Sequence, residues 1–133
     1  MLGTAALVIV IGTGAFLVAL GASALFRPSL ASAFLLSFAS TPTKHYFELV
    51  VRFIIGCALV VHASSTVAPL AFMVFGTVLI ATTTVMAFLP WHRHRAFASR
   101  SVPQALRYLP LVGIASVAGG VAILFFATTR GAA

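Results

Sequence analysis

Residues 91–107, WHRHRAFASRSVPQALR, carry Arg93, Arg95, Arg100 and Arg107, which is half of the chain's eight Lys and Arg residues. They lie between two long apolar stretches. Arg27 and Lys44 lie between the first and second apolar stretches. The gap between the second and third has no basic residue, and neither does the segment before the first. Basic residues are retained in cytoplasmic loops and avoided in translocated ones. The alternation therefore predicts an all-α integral membrane four-helix bundle, with both long loops inside and both termini outside.

Composition agrees. The chain has 133 residues, 62% of them hydrophobic and 7% charged, with a mean hydropathy of +1.17. A soluble domain carries about 25% charged residues to solvate its surface. Most of this exterior must instead face lipid, so residues 1–133 form one transmembrane domain with no room for a soluble module. The net charge of +7 is accounted for by positive-inside loops, and nucleic acid is rejected as a partner. The lone Cys57 sits in an apolar helix and reads as a small hydrophobe.

No charged residue or His occurs from Met1 to Phe26, from Ala63 to Trp91, or from Tyr108 to Thr129. About 20 apolar residues cross a bilayer, which predicts spans near 4–26, 67–89 and 104–128. A further span near 43–63 contains Glu48 and Arg52. The small residues Ala22-Ser23-Ala24 resemble a signal cleavage site. Arg27 follows that stretch and no basic residue precedes it, the reverse of a secretory signal, so the first helix is expected to stay in place. Multi-pass insertion in a bacterial inner membrane follows, with Arg130 at the outer headgroups.

Helix starts are marked. Thr41-Pro42 gives a cap followed by Pro in the first turn. Ser101 and Gln104 have capping-box spacing, and Pro110 is then expected to bend the fourth span near Arg107. Residues 29–40 form a short amphipathic segment through Leu30, Phe34 and Phe38, expected at the interface like residues 91–101. Arg93, Arg95, Arg100 and Arg107 are expected at anionic headgroups. Trp91, Tyr108 and Tyr46 belong to the same boundary.

An internal repeat is visible. A shift of 62 residues sets Gly14 on Gly76 and Pro28 on Pro90, and one further residue of slip sets Phe34 on Phe97 and Gly56 on Gly119. Each half holds two spans, so the halves would be related in parallel. The pattern Gly14…Leu25-Phe26-Arg27-Pro28…Arg52…Gly56, echoed in the second half, resembles the small four-helix bacterial membrane proteins grouped as DoxX-like. The resemblance covers most of the chain and has no catalytic motif. It implies the fold and, because some of those proteins accompany redox systems, an accessory role.

Glu48 is the only carboxylate. His45, Glu48 and Arg52 are spaced by three and four residues, so they share a helix face. Glu48 four residues before Arg52 is the favourable order for an ion pair that lets a charged helix insert. A proton- or ligand-handling Glu48 is the alternative. His45, His92 and His94 converge on one membrane face. A metal or haem is nevertheless not assigned, because arginines surround the loop histidines and His-x-His is not a helical ligand pair. No cofactor is implied, and no nucleophile–base set exists to support catalysis.

Small residues form two stripes, Gly12, Ala15, Ala19 and Ser23 on the first span and Gly113, Ser116 and Gly120 on the fourth. Such stripes let helices approach closely in lipid. Thr82, Thr83 and Thr84 are expected to bond backbone carbonyls of their own helix. The function these features imply is a non-catalytic accessory subunit or self-associating scaffold, with the bilayer and a homo-oligomer or larger membrane complex as partners. The alternatives are a small dimeric proton-coupled transporter using Glu48, or a quinone- or haem-associated redox subunit.

Overall fold

The computed structural model describes residues 1–37 and 40–130. They form six helices: α1 (Leu2–Phe26), α2 (Pro28–Ser37), α3 (Pro42–His62), α4 (Pro69–Phe88), α5 (Trp91–Arg107) and α6 (Leu109–Thr128). A single 3-10 turn, Ala63–Ser65, joins α3 to α4. Among the described residues α1, α3, α4 and α6 are long and apolar enough to cross a membrane, and the chain is a multi-pass membrane protein. Phe75, Val78, Leu111 and Phe125 are each more than half exposed, as lipid-facing side chains should be. Phe38 of the amphipathic segment lies outside the described residues.

Prolines set the helix starts. Pro28, Pro42 and Pro69 each open a helix, where a missing N–H costs no helical hydrogen bond. Thr41 caps α3, its Oγ1 accepting from the Lys44 N–H at 3.2 Å. Pro110 lies in the first turn of α6. A continuous helix would need its absent N–H to bond the Leu106 carbonyl, and the ring would clash there. The chain therefore jogs at Tyr108, whose N–H bonds the Ala105 carbonyl at 3.1 Å.

That jog corrects two expectations. The fourth span begins at Leu109 rather than near 104, and Pro110 starts it rather than bending it. Ser101 is not a helix cap, because α5 runs unbroken through Ser101 and Gln104 with Pro103 inside it. The reason lies in side-chain periodicity. Among the described side chains of α5, Trp91, His94, Ala98, Ser101 and Leu106 are partly or fully buried, and the steps of three and four from 91 to 101 mark one helix face. Pro103 therefore stands within a helix that keeps one inward face.

Glycines set the helix contacts. α1 runs antiparallel to α6, with Gly14 against Gly120 and Gly21 against Gly113. A Cβ on Gly120 would lie 2.6 Å from the Gly14 carbonyl oxygen and 2.8 Å from Val18 Cγ2. Ser116 Oγ donates to the Leu17 carbonyl at 2.8 Å across the same contact. α3 packs on α4 in the same manner. A Cβ on Gly56 would lie 3.1 Å from the Gly76 carbonyl oxygen and 2.7 Å from Ile80 Cγ1.

In both pairs each glycine faces the partner glycine's carbonyl and the side chain four residues beyond it. Gly14 thus corresponds to Gly76, as the repeat predicts, while Gly56 corresponds to Gly120 rather than Gly119. A Cβ on Gly119 would meet nothing within 4 Å. α1 also packs on α3. At the end away from the basic loops, all four spans meet around the fully buried Val10, with Ala6, Ala58, Leu59, Phe72 and Ala127. At the basic end, α2 turns back along α1, bringing the Phe34 and Phe16 rings to 6.0 Å, and Ala24, Ala31 and Leu109 pack together.

Candidate functional site

The N-terminal turns of α3 and α5 meet at the basic end of the bundle. His45 is completely buried. Its ring stacks on His94 of α5, with centroids 4.2 Å apart and planes 30° apart. Three residues beyond His45, Glu48 accepts a 3.3 Å ion-paired hydrogen bond from Arg52 Nη1 through Oε1. The predicted face of His45, Glu48 and Arg52 is therefore present, and the ion pair forms in the expected order. Donor atoms of His45, Glu48 and His94 all lie within 4.8 Å of one another.

Polar satisfaction is unusually poor here. Among the described residues, the buried side-chain nitrogens without a hydrogen-bond partner are His45 Nδ1 and Nε2, Arg52 Nε and Trp91 Nε1. All belong to this end of the molecule. Native interiors rarely leave such groups unpaired, so their concentration marks this end as the chemically distinctive part of the chain.

His94 belongs to this cluster for a reason the sequence reading missed. Once residues 91–107 wind into a helix, His94 falls on the inward face with Trp91 and Ala98, while His92, Arg93, Arg95 and Arg100 are exposed. The guanidinium of Arg95 sits over the Trp91 ring, 5.3 Å from its centroid. The arginines therefore surround the segment without sharing the face of His94. The periodicity at 91, 94 and 98 was the available signal.

The geometry speaks against a haem between these histidines. Axial imidazoles point at the iron from opposite sides of the porphyrin, whereas these two rings lie against each other. No protein-family model matches this chain, and no curated protein or solved structure is significantly similar to it.

The fourth histidine does different work. His62, buried at the far end of α3, donates through Nε2–H to the Ala127 carbonyl at 3.1 Å. Ala127 lies in the last turn of α6, where carbonyls lack helical partners. The bond thus caps α6 from α3. Thr66 and Arg130 form a backbone bridge beside it.

The two small-residue stripes have different fates. Gly113, Ser116 and Gly120 form the packing face of α6, as expected. On α1 the buried small residues are Ala6, Gly14, Gly21 and Ala24, whereas Gly12, Ala15 and Ala19 are exposed and Ser23 is half-buried. A Cβ on Gly12 would meet nothing within 4 Å. The seven-residue spacing shared by Gly14–Gly21 and Gly113–Gly120 distinguishes the face used inside the chain. Cys57 is partly exposed and lines an open apolar groove with Ala5, Ile9 and Phe53. Thr82, Thr83 and Thr84 donate to the carbonyls of Val78, Leu79 and Ile80 respectively, as expected of hydroxyls inside a span.

Proposed function

We propose that this chain is a non-catalytic integral membrane component, an accessory subunit or self-associating scaffold whose assembly surface is the outward face of α1. The observation that carries this reading is the uncovered stripe of Gly12, Ala15 and Ala19. α1 is the helix that contacts both α6 and α3, and its exposed side sets Gly12, Ala15 and Ala19 beside the bulkier Val8 and Phe16. Helices associate in lipid through such close-approach faces. The DoxX-like resemblance points the same way. The basic end, with Arg27, Lys44, Arg93, Arg95, Arg100 and Arg107, is assigned to the cytoplasmic side of a bacterial inner membrane on the positive-inside rule.

The transporter reading has less support. Glu48 is held by Arg52, which favours a neutralised pair over an exchangeable carboxylate. The haem version of the redox reading requires a ligand geometry that His45 and His94 do not have.

Gly12→Leu tests the assembly reading. Open space around Gly12 lets the variant fold, so native mass spectrometry of protein extracted with its lipids should show the complex reduced to the single chain. An unchanged complex in Gly12→Leu would remove this face from assembly. Leu at Gly113 or Gly120 cannot serve this purpose, because both glycines already pack within the chain.

A further inference from the structure

We propose that His45, Glu48 and His94 form a binding site for a transition-metal dication, with Zn2+ the ion that fits. Two imidazoles and one carboxylate are a recurrent zinc donor set, and three protein ligands leave a fourth tetrahedral position for water. His45 and Glu48 are three residues apart on α3 and share a face; His94 comes from the first turn of α5.

Their donor atoms lie within 4.8 Å of one another. Tetrahedral zinc holds its donors roughly 3.3 Å apart. Closing that difference calls on rotation of Glu48 and His94, both partly exposed, and their exposure provides the route in.

The state of His45 points to a ligand, and two further features are compatible with one. His45 is completely buried, and neither of its ring nitrogens has a hydrogen-bond partner among the described residues. Metal coordination would satisfy one of them. The stacked arrangement with His94 sets the two imidazoles side by side without a hydrogen bond between them. Arg52 occupies Oε1 of Glu48, which leaves the other carboxylate oxygen for the ion. Arg52 then orients that ligand from outside, a role usual around metal sites. Arg93, Arg95 and Arg100 are exposed, and the Arg95 guanidinium is held over the Trp91 ring. A bound ion would clamp the start of α5 to the start of α3.

The test is a Co2+ titration of the chelator-treated full chain in detergent, read by visible absorption and followed by competition with Zn2+. The expected result is one equivalent bound, with the intense d–d bands of a tetrahedral site, and displacement by Zn2+. His94→Ala removes one of the three protein ligands and should weaken binding by at least the roughly 100-fold that losing an outer-shell partner can cost. His92→Ala should leave binding unchanged. His94 is partly exposed, so its loss leaves the helical circular dichroism intact, whereas the buried His45 is the riskier position to change. Failure of the folded wild-type chain to bind Co2+ overturns the proposal. So does binding in His94→Ala equal to that of the wild type, or an equal loss in His92→Ala.

Discussion

Replacing Gly120 and its neighbour Gly119 by alanine, one at a time, separates packing from composition. The two positions are adjacent in one apolar helix, and the substitution is identical. At Gly120 the new Cβ would lie 2.6 Å from the Gly14 carbonyl oxygen and 2.9 Å from the Val18 nitrogen. Both are backbone atoms and cannot rotate away. Restoring ordinary contact needs α1 and α6 to separate by about 0.8 Å, and overpacking of this kind costs about 1–3 kcal/mol. The separation also stretches the 2.8 Å Ser116–Leu17 hydrogen bond beyond bonding range. In membranes such bonds are worth about 0.6 kcal/mol on average.

Alanine returns about 0.8–1.0 kcal/mol of helix propensity at either position. At Gly119, where a Cβ would meet nothing within 4 Å, that gain stands alone. Gly120→Ala should therefore be less stable than Gly119→Ala by roughly 1.5–3.5 kcal/mol, the overpacking and lost bond together. Reversible unfolding in mixed micelles with increasing SDS measures the difference. Equal stabilities, or greater damage from Gly119→Ala, would refute the α1–α6 register and with it the correspondence of Gly120 to Gly56.

Other expectations concern the two ends of the bundle. His62→Leu removes the bond to the Ala127 carbonyl, costing about 1 kcal/mol, and should speed amide exchange selectively in the last turn of α6; uniform exchange would deny the cap. Glu48→Gln leaves Arg52 unpaired in a span and should lower membrane yield, while Glu48→Gln with Arg52→Gln should recover it. A double variant worse than the single one would count against a neutralised pair. Reporter fusions after Ser40 and after Arg100 should both report cytoplasm, and a fusion after Ser65 the opposite side. A cytoplasmic signal from the Ser65 fusion alone would reverse the topology, and one from all three would deny that α3 and α4 cross the membrane.

Local chemistry made part of this architecture readable from sequence. A long apolar run can only be a span, Thr41-Pro42 can only open a helix efficiently, and threonines inside a span must bond their own helix. Choices between equivalent local options were not readable. Pro103 and Pro110 can each stand in the first turn of the fourth span, and only the continuous inward face of α5 decides for Pro110. The first helix has two faces of small residues. Composition cannot rank Gly12, Ala15 and Ala19 against Gly14 and Gly21, because the decision lies in the matching glycines of α6, about a hundred residues away in the chain. The sequence placed His94 at the same membrane face as His45 but not against it, because an arginine-rich segment between apolar runs reads as a loop; winding it into a helix separates the inward His94 from the exposed His92.

Photocross-linking in native membranes tests the assembly surface most directly. A benzophenone amino acid placed at Ala15 or Ala19 samples the outward face of α1, and one at Val78 samples the exposed, bulky face of α4. The account predicts a discrete protein adduct, a second copy or one reproducible larger partner, from positions 15 and 19, with only lipid adducts from position 78. Lipid adducts alone from all three positions would contradict it.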